Sequence, residues 1–203
     1  MQPRILEKEN ELLLVEKARG GNVQSFSALV RFYEERTIHL AYSFLGNMED
    51  ARDTAQEGFV KAYESLKSFK GGSRFSSWLY RIVINCCKDA LRKKKVRRHL
   101  AASPAFTTVD GEEISPIENV TARDPDGLKV LMDRELGETI HSALEGLPFQ
   151  QKSVFALRYL EGMSLEEIAQ TLGLSVGAVK AHLWQAGQKM KRSLAGYLPE
   201  RGN

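Results

Sequence analysis

Toward its C-terminal end the sequence runs Ser164-Leu165-Glu166-Glu167-Ile168-Ala169-Gln170-Thr171-Leu172-Gly173-Leu174-Ser175-Val176-Gly177-Ala178-Val179-Lys180, a pattern that only a pair of tightly joined helices explains. Ser164 with Glu167 three positions later has the pattern of a capping box, in which the two side chains satisfy unpaired amides at a helix start. Leu165, Ile168, Ala169 and Leu172 fall on one face of that helix. Gly173 accommodates the left-handed conformation that ends a helix, Leu174 plugs the turn, and Ser175 caps a second helix. Val176, Val179, Leu183 and Met190 line the inner face of that second helix. Small Ala169 lets the helices approach and Val179 fills their crossing, so the spacing predicts a helix-turn-helix from Ser164 to about Lys189.

With the inner face spent on packing, Gly177, Lys180, Ala181, Trp184, Gln185 and Lys189 point outward, where this motif presents side chains to a major groove. A helical hairpin with a merely solvated outer face is the competing reading. Upstream, Phe149 to Leu160 reads as a helix behind the break at Gly146 and Pro148. Leu128, Leu131, Leu136, Ile140 and Leu144 recur at the spacing of another.

In the first half, Phe26, Leu29, Val30, Tyr33, Leu40, Ala41, Phe44 and Leu45 form one stripe of a long helix. Gly20-Gly21 separates it from a short helix over about Glu11 to Arg19, and Gly46-Asn47 ends it. Asn47 caps a third helix to about Leu66, with Glu49, Asp50 and Asp53 near the positive end of its dipole. Phe59, Val60, Tyr63 and Leu66 supply its apolar stripe. Ser68 to Phe75 is predicted as a loop around Gly71-Gly72, and Ser76 as the cap of a fourth helix containing Trp78, Leu79, Ile82 and Val83.

That helix runs into Lys88, Arg92, Lys93, Lys94, Lys95, Arg97 and Arg98. Such density suits the phosphates of a polyanion, and Phe75, Trp78 and Tyr80 beside a glycine loop suit stacking on unpaired bases. Taken singly, the charges also fit a solvated helix terminus and the rings a core.

Between the halves, Ser103-Pro104, Asp110-Gly111, Ser115-Pro116 and Asp124-Pro125 interrupt every periodicity, and the charges are mostly acidic. The expected architecture is all-α: helical domains over 1–100 and 128–203, joined by a flexible acidic linker over 101–127. The 203 residues suffice for two small domains, and the net charge of +3 conceals strong local segregation of sign.

Cys86 and Cys87 are the only cysteines, and as helix neighbours they diverge, which excludes a disulfide framework. Buried inert thiols in a reducing setting are expected, with a redox switch or a metal site as the alternatives. The polar N-terminus and the lack of about eighteen consecutive apolar residues predict a cytoplasmic protein without membrane insertion. No P-loop, nucleophile elbow or HExxH pattern occurs, and the acids of the third helix lack the partners of a metal site. Hence no catalytic residue, metal or cofactor is expected, and a nuclease is the disfavoured enzymatic alternative.

The string Asp50-Ala51-Arg52-Asp53-Thr54-Ala55-Gln56-Glu57-Gly58-Phe59, then Phe69 to Phe75, then Trp78-Leu79-Tyr80-Arg81-Ile82 with Asn85 resembles one conserved region of a known family. That family is the bacterial RNA polymerase sigma factors of the extracytoplasmic-function group, and the region is their second. Leu147-Pro148, Val154 to Arg158, Glu161 to Ala169 and Val179-Lys180 resemble their fourth, in the right order and separation.

The resemblance implies docking on a coiled coil of the polymerase largest subunit through Asp53, Gln56 and Glu57, which otherwise read as solvation and capping. It implies capture of a flipped minus-10 base by Phe69, Lys70, Gly71, Gly72, Ser73 and Arg74 with Lys61 and Asn85, Lys88 and Arg92 lying on the basic helix. Minus-35 duplex would be read by Arg158, Glu166, Lys180, Ala181, His182, Trp184 and Gln185. The partners so implied are core RNA polymerase, promoter DNA and an anti-sigma factor.

Family members commonly carry a serine and several arginines after the lysine, where this chain has Ala181, His182, Gln185 and Gly187. Fewer fixed charges predict weaker duplex affinity, a shallower salt slope and reliance on Trp184 and Gln185, whose amide matches adenine. Thr54 and Gly58 replace apolar residues usual in the second region. A stand-alone helix-turn-helix regulator is the alternative for the C-terminal half, but no receiver-like alternation of strands and helices precedes it.

Overall fold

The computed structural model describes residues 8–101, 137 and 139–197, and among these the regular structure is helical, without strands. The expected linker over 101–127, apart from Ala101, and the predicted stripe residues Leu128, Leu131 and Leu136 lie outside the described residues.

Helix α1 (Lys8–Arg19) is followed by α2 (Val23–Leu45), which starts where the Asn22 side chain accepts the Ser25 N–H at 2.9 Å. It stops at Gly46, whose φ of 71° lets its own N–H return to the Tyr42 carbonyl. Asn47 caps α3 (Met48–Ser65) by accepting the Asp50 N–H, and a 3₁₀ turn, Leu66–Ser68, closes that helix. After the glycine loop comes α4 (Phe75–Ala101). The second half comprises a helix over 139–145 (α5), α6 (Phe149–Tyr159), α7 (Leu165–Leu172) and α8 (Val176–Ser193).

Leu29, Leu40 and Phe44 of α2 pack with Leu66 and with Leu79 and Val83 of α4 in the first-half core. The buried Glu11 carboxylate accepts a hydrogen bond from the Tyr33 hydroxyl, pinning α1 to α2. Burial, reinforced by that carboxylate, raises the Tyr33 pKa and keeps the phenol neutral. At Gly58 a side chain would place its Cβ 2.8 Å from Val83 Cγ2, so the departure from the family's usual apolar residue permits α3 and α4 to approach closely. Both thiols are buried, and burial pushes Cys87 up to about 12, leaving it protonated and unreactive.

Several sequence expectations are corrected. Helix α4 begins at Phe75 rather than after a Ser76 cap, because the Phe75 ring is buried against Tyr33, Phe69 and Trp78 and is drawn into the first turn. Val60 and Tyr63 are exposed, since the apolar stripe of α3 is wider than the surface that α2 and α4 offer it. Ile140, expected on a buried stripe, is also exposed. The two halves also touch: Phe44 of α2 meets Phe149 of α6 at 5.1 Å, Tyr42 meets His141 of α5 at 5.1 Å, and α7 packs on α4.

Candidate nucleic-acid interface

The helix-turn-helix is built from local hydrogen bonds. Ser164 Oγ accepts the Glu167 N–H at 3.1 Å while the Glu167 carboxylate accepts the Ser164 N–H at 2.8 Å, so both halves of the capping box form. Gly173 ends α7 at a φ of 67°, and Ser175 Oγ accepts the Ala178 N–H at 3.1 Å to start α8. Ile168 and Val179 are fully buried at the crossing.

Lys180, Ala181, Trp184 and Gln185 form an exposed surface on α8, with Trp184 at 68% exposure. His182 is half-buried, and its Nδ1 has no hydrogen-bond partner. Glu166 is exposed in the first turn of α7. Arg158 is exposed too, yet its guanidinium donates to the Met163 carbonyl at 2.8 Å and braces the turn between α6 and α7. Sequence reasoning missed Gln151, a buried residue of α6 whose Nε2 donates to Gln185 Oε1 at 2.7 Å. The double amide Gln150-Gln151 behind Pro148 was the only local signal, and nothing in it names a partner on α8.

The glycine loop has a buried floor and an exposed rim. The Phe69 ring is 5% exposed and lies 5.0 Å from Trp78, while Phe75 and Tyr80 are also buried, so these aromatics form core, the reading the rings support when taken singly, and not an exposed stacking platform. Lys70, Gly71, Gly72 and Arg74 are exposed and Ser73 is half-buried. Two rim residues meet α7: the Gly72 carbonyl accepts from Gln170 Nε2 at 3.0 Å, and Arg74 lies 3.9 Å from Glu167.

Asn85, Lys88 and Arg92 are exposed along α4, and Arg92 sits 3.7 Å from Asp89. Lys61 pairs with Glu57 one turn away at 2.6 Å, a bond that raises the Lys61 pKa, and it also approaches the Cys86 thiol next to Asn85. Asp53 and Gln56 are exposed on α3. Asp53 lines a cleft with Lys93, Lys94 and Arg97 of α4, where Lys94 bonds Asp50 at 3.3 Å. Gln56 instead borders an apolar groove with Phe26, Val60 and Tyr63. Among the described residues, no three His, Cys, Asp or Glu side chains converge as metal ligands, and no helix is long and apolar enough to cross a membrane.

A capped helix-turn-helix with an exposed reading face, joined to a basic helix behind a glycine loop, defines a DNA-binding protein of helical class. Residues 29–97 match sigma-70 region 2, and residues 137–190 match sigma-70 region 4. The ECF RNA polymerase sigma factor SigW of Bacillus subtilis (strain 168) is 32% identical over 180 residues, covering 89% of this chain and 94% of SigW. A solved structure of CnrH in complex with the cytosolic domain of CnrY superimposes with a TM-score of 0.65 at 25% identity, over 92% of this chain and 98% of CnrH. The sigma factor RpoE of Bartonella quintana, solved with the anti-sigma factor NepR, is similar in fold, with a TM-score of 0.55 at 20% identity over 93% and 96% of the two chains. The chain belongs to the extracytoplasmic-function group of the sigma-70 family and is a promoter-directing RNA polymerase sigma factor.

Proposed function

We propose that this sigma factor divides its work between its halves in the cytoplasm. Residues 1–100 dock on core polymerase through Asp53, Gln56 and Glu57 of α3 and capture the opened minus-10 strand on the rim Lys70, Gly71, Gly72, Ser73 and Arg74. Phe69 supports that rim from below, and Lys61, Asn85, Lys88 and Arg92 supply polar and phosphate contacts beside it. Residues 128–203 read minus-35 duplex through Lys180, Ala181, Trp184 and Gln185, flanked by Arg158, Glu166 and His182.

The observation that carries this reading is the exposed face of α8 on a fully capped helix-turn-helix, following a sigma-70 region 2 in the family's order. CnrH and RpoE were each solved with a protein partner, which supports the proposal of an anti-sigma factor here. Such chemistry changes no covalent bond, so the protein acts as an initiation factor without catalytic residues of its own.

The test is transcription by core polymerase plus this protein on genomic DNA, with transcript ends sequenced. Discrete start sites preceded by two shared elements are expected, and their absence refutes the reading. Alanine at Asp53 with Gln56 should weaken core binding, and alanine at Arg74 should slow strand opening while leaving core binding intact.

A further inference from the structure

We propose that Lys152 keeps the seam between the two halves weak enough to open, by burying a charge between α6 and the first-half core. The inference rests on the reading above, in which the glycine-loop rim captures the opened strand. Helix α7 lies on that rim while the seam is closed: Gln170 bonds the Gly72 carbonyl and Glu167 lies beside Arg74. Gly71, Gly72, Ser73 and Arg74 line one cavity together with Glu167 and Gln170, so the closed arrangement occupies the surface a strand needs.

Three polar groups at the seam are buried without full compensation. Lys152 is 5% exposed, and its ammonium lies 6.0 Å from the centre of the Phe44 ring of the other half. Burial lowers its pKa, and Glu145 offsets that only in part. His141 packs on Tyr42, again across the seam, and its buried Nε2 has no hydrogen-bond partner. The Glu161 carboxylate meets Tyr80 of α4, with Arg36 and His39 of α2 nearby, yet burial still raises its pKa. Inside the first half, by contrast, the buried Glu11 carboxylate accepts the Tyr33 hydroxyl.

Opening returns the seam groups to water, which solvates them. The contact that resists is aromatic, Phe44 against Phe149 at 5.1 Å. Replacing the Lys152 charge with an apolar side chain of similar length therefore tightens the seam. With the closed form predominant, strand capture falls by the same factor, because only the open form has a free rim. Stability and activity move in opposite directions at this one position.

The experiment uses the full chain with core polymerase, comparing wild type, Lys152→Met and His141→Phe, each alone and combined with Phe149→Ala. Separation of the halves is read by energy transfer between dyes at Glu35→Cys and Lys191→Cys, two exposed positions, the native thiols being buried. Strand opening is read by permanganate reactivity of minus-10 thymines. Lys152→Met should raise the denaturation midpoint, shift the free protein toward the shorter separation and slow strand opening about fivefold. His141→Phe should act in the same direction through a second site. Phe149→Ala removes the attractive contact across the seam and should return strand opening in Lys152→Met to near the wild-type rate. Gln170→Ala, at an exposed position, is a second suppressor that leaves the core untouched.

The proposal is overturned if Lys152→Met and His141→Phe leave the separation of the halves unchanged. It is equally overturned if neither Phe149→Ala nor Gln170→Ala restores strand opening to Lys152→Met, the result expected of a lysine that touches polymerase or DNA directly. Separations that shift as expected, with strand opening at the wild-type rate in every variant, support the seam and refute the reading of the glycine-loop rim instead.

Discussion

Replacing Gly58 by alanine tests the packing of the first half, because two opposing terms of known size meet at one atom. Alanine in a helix interior is more favourable than glycine by about 1 kcal/mol, so propensity alone predicts stabilisation. Against it stands the 2.8 Å separation between a Cβ at position 58 and Val83 Cγ2. Val83 is fully buried on α4 and has no open side to turn into, and such overpacking costs about 1–3 kcal/mol. The clash wins, and Gly58→Ala should destabilise by about 1 kcal/mol once the propensity gain is subtracted. Val83→Ala alone removes two buried methyl groups and should cost about 2 kcal/mol or slightly more. Combined, the new methyl enters the space vacated by the valine, so the double variant should be more stable than the sum of single effects by about 1 kcal/mol. Urea denaturation of the full chain, followed by far-ultraviolet circular dichroism and extrapolated linearly, measures all three. A Gly58→Ala protein more stable than wild type, or effects additive within about 0.5 kcal/mol, would refute the close approach of α3 and α4.

Ser164→Ala removes one half of a formed capping box and should cost about 1 kcal/mol, read as a lower denaturation midpoint. Lys152 is buried beside the Phe44 ring, and burial lowers its pKa, so the charged form opposes folding. Because its folded pKa lies below the unfolded one, that penalty is full below the folded pKa and fades as pH rises from there to the ordinary lysine value. Lys152→Met should therefore raise stability by about 1 kcal/mol at neutral pH and abolish the alkaline rise in a pH series of melts. Trp184→Ala, at an exposed position, should leave stability within about 0.5 kcal/mol while changing which promoters are chosen in reconstituted transcription.

The features legible in the sequence are those determined within a few residues of one another. Asn47, Ser164 and Ser175 each bond an amide three positions on, and Gly46 and Gly173 each close a single turn. Four-residue windows contain that information. Val60 and Tyr63 sat on an apolar stripe with Phe59 and Leu66, but how wide a stripe is covered depends on α2 and α4, which no window of α3 specifies. The rings at Phe75 and Tyr80 fit either a core or a stacking surface by their spacing, and the contacts that make them core come from Tyr33 on another helix and from Trp78 against Phe69 and Phe75. Gln151 escaped notice for the same reason: its partner lies 34 positions away on another helix.

The contacts between the halves divide the proposed DNA-binding residues unequally. Gly72 and Arg74 are engaged by Gln170 and Glu167 of α7, whereas Lys180, Trp184 and Gln185 remain exposed in the same arrangement. Strand capture on the loop rim therefore requires those two contacts to be exchanged. Each is worth little: the Arg74–Glu167 pair is long and solvent-exposed, in the range of about 0–1 kcal/mol, and one amide-to-carbonyl bond nets about 1 kcal/mol. The Phe44–Phe149 contact joins a buried ring to a half-buried one packed on the core and carries more. Burial raises the Glu161 pKa, and its Tyr80 partner only partly offsets that cost, so this polar pair orients the halves more than it binds them. A partner that separates the halves must thus chiefly replace an aromatic contact, and the rim residues follow at small cost because strand phosphates and bases offer Arg74 and the Gly72 carbonyl substitutes of equal or greater strength.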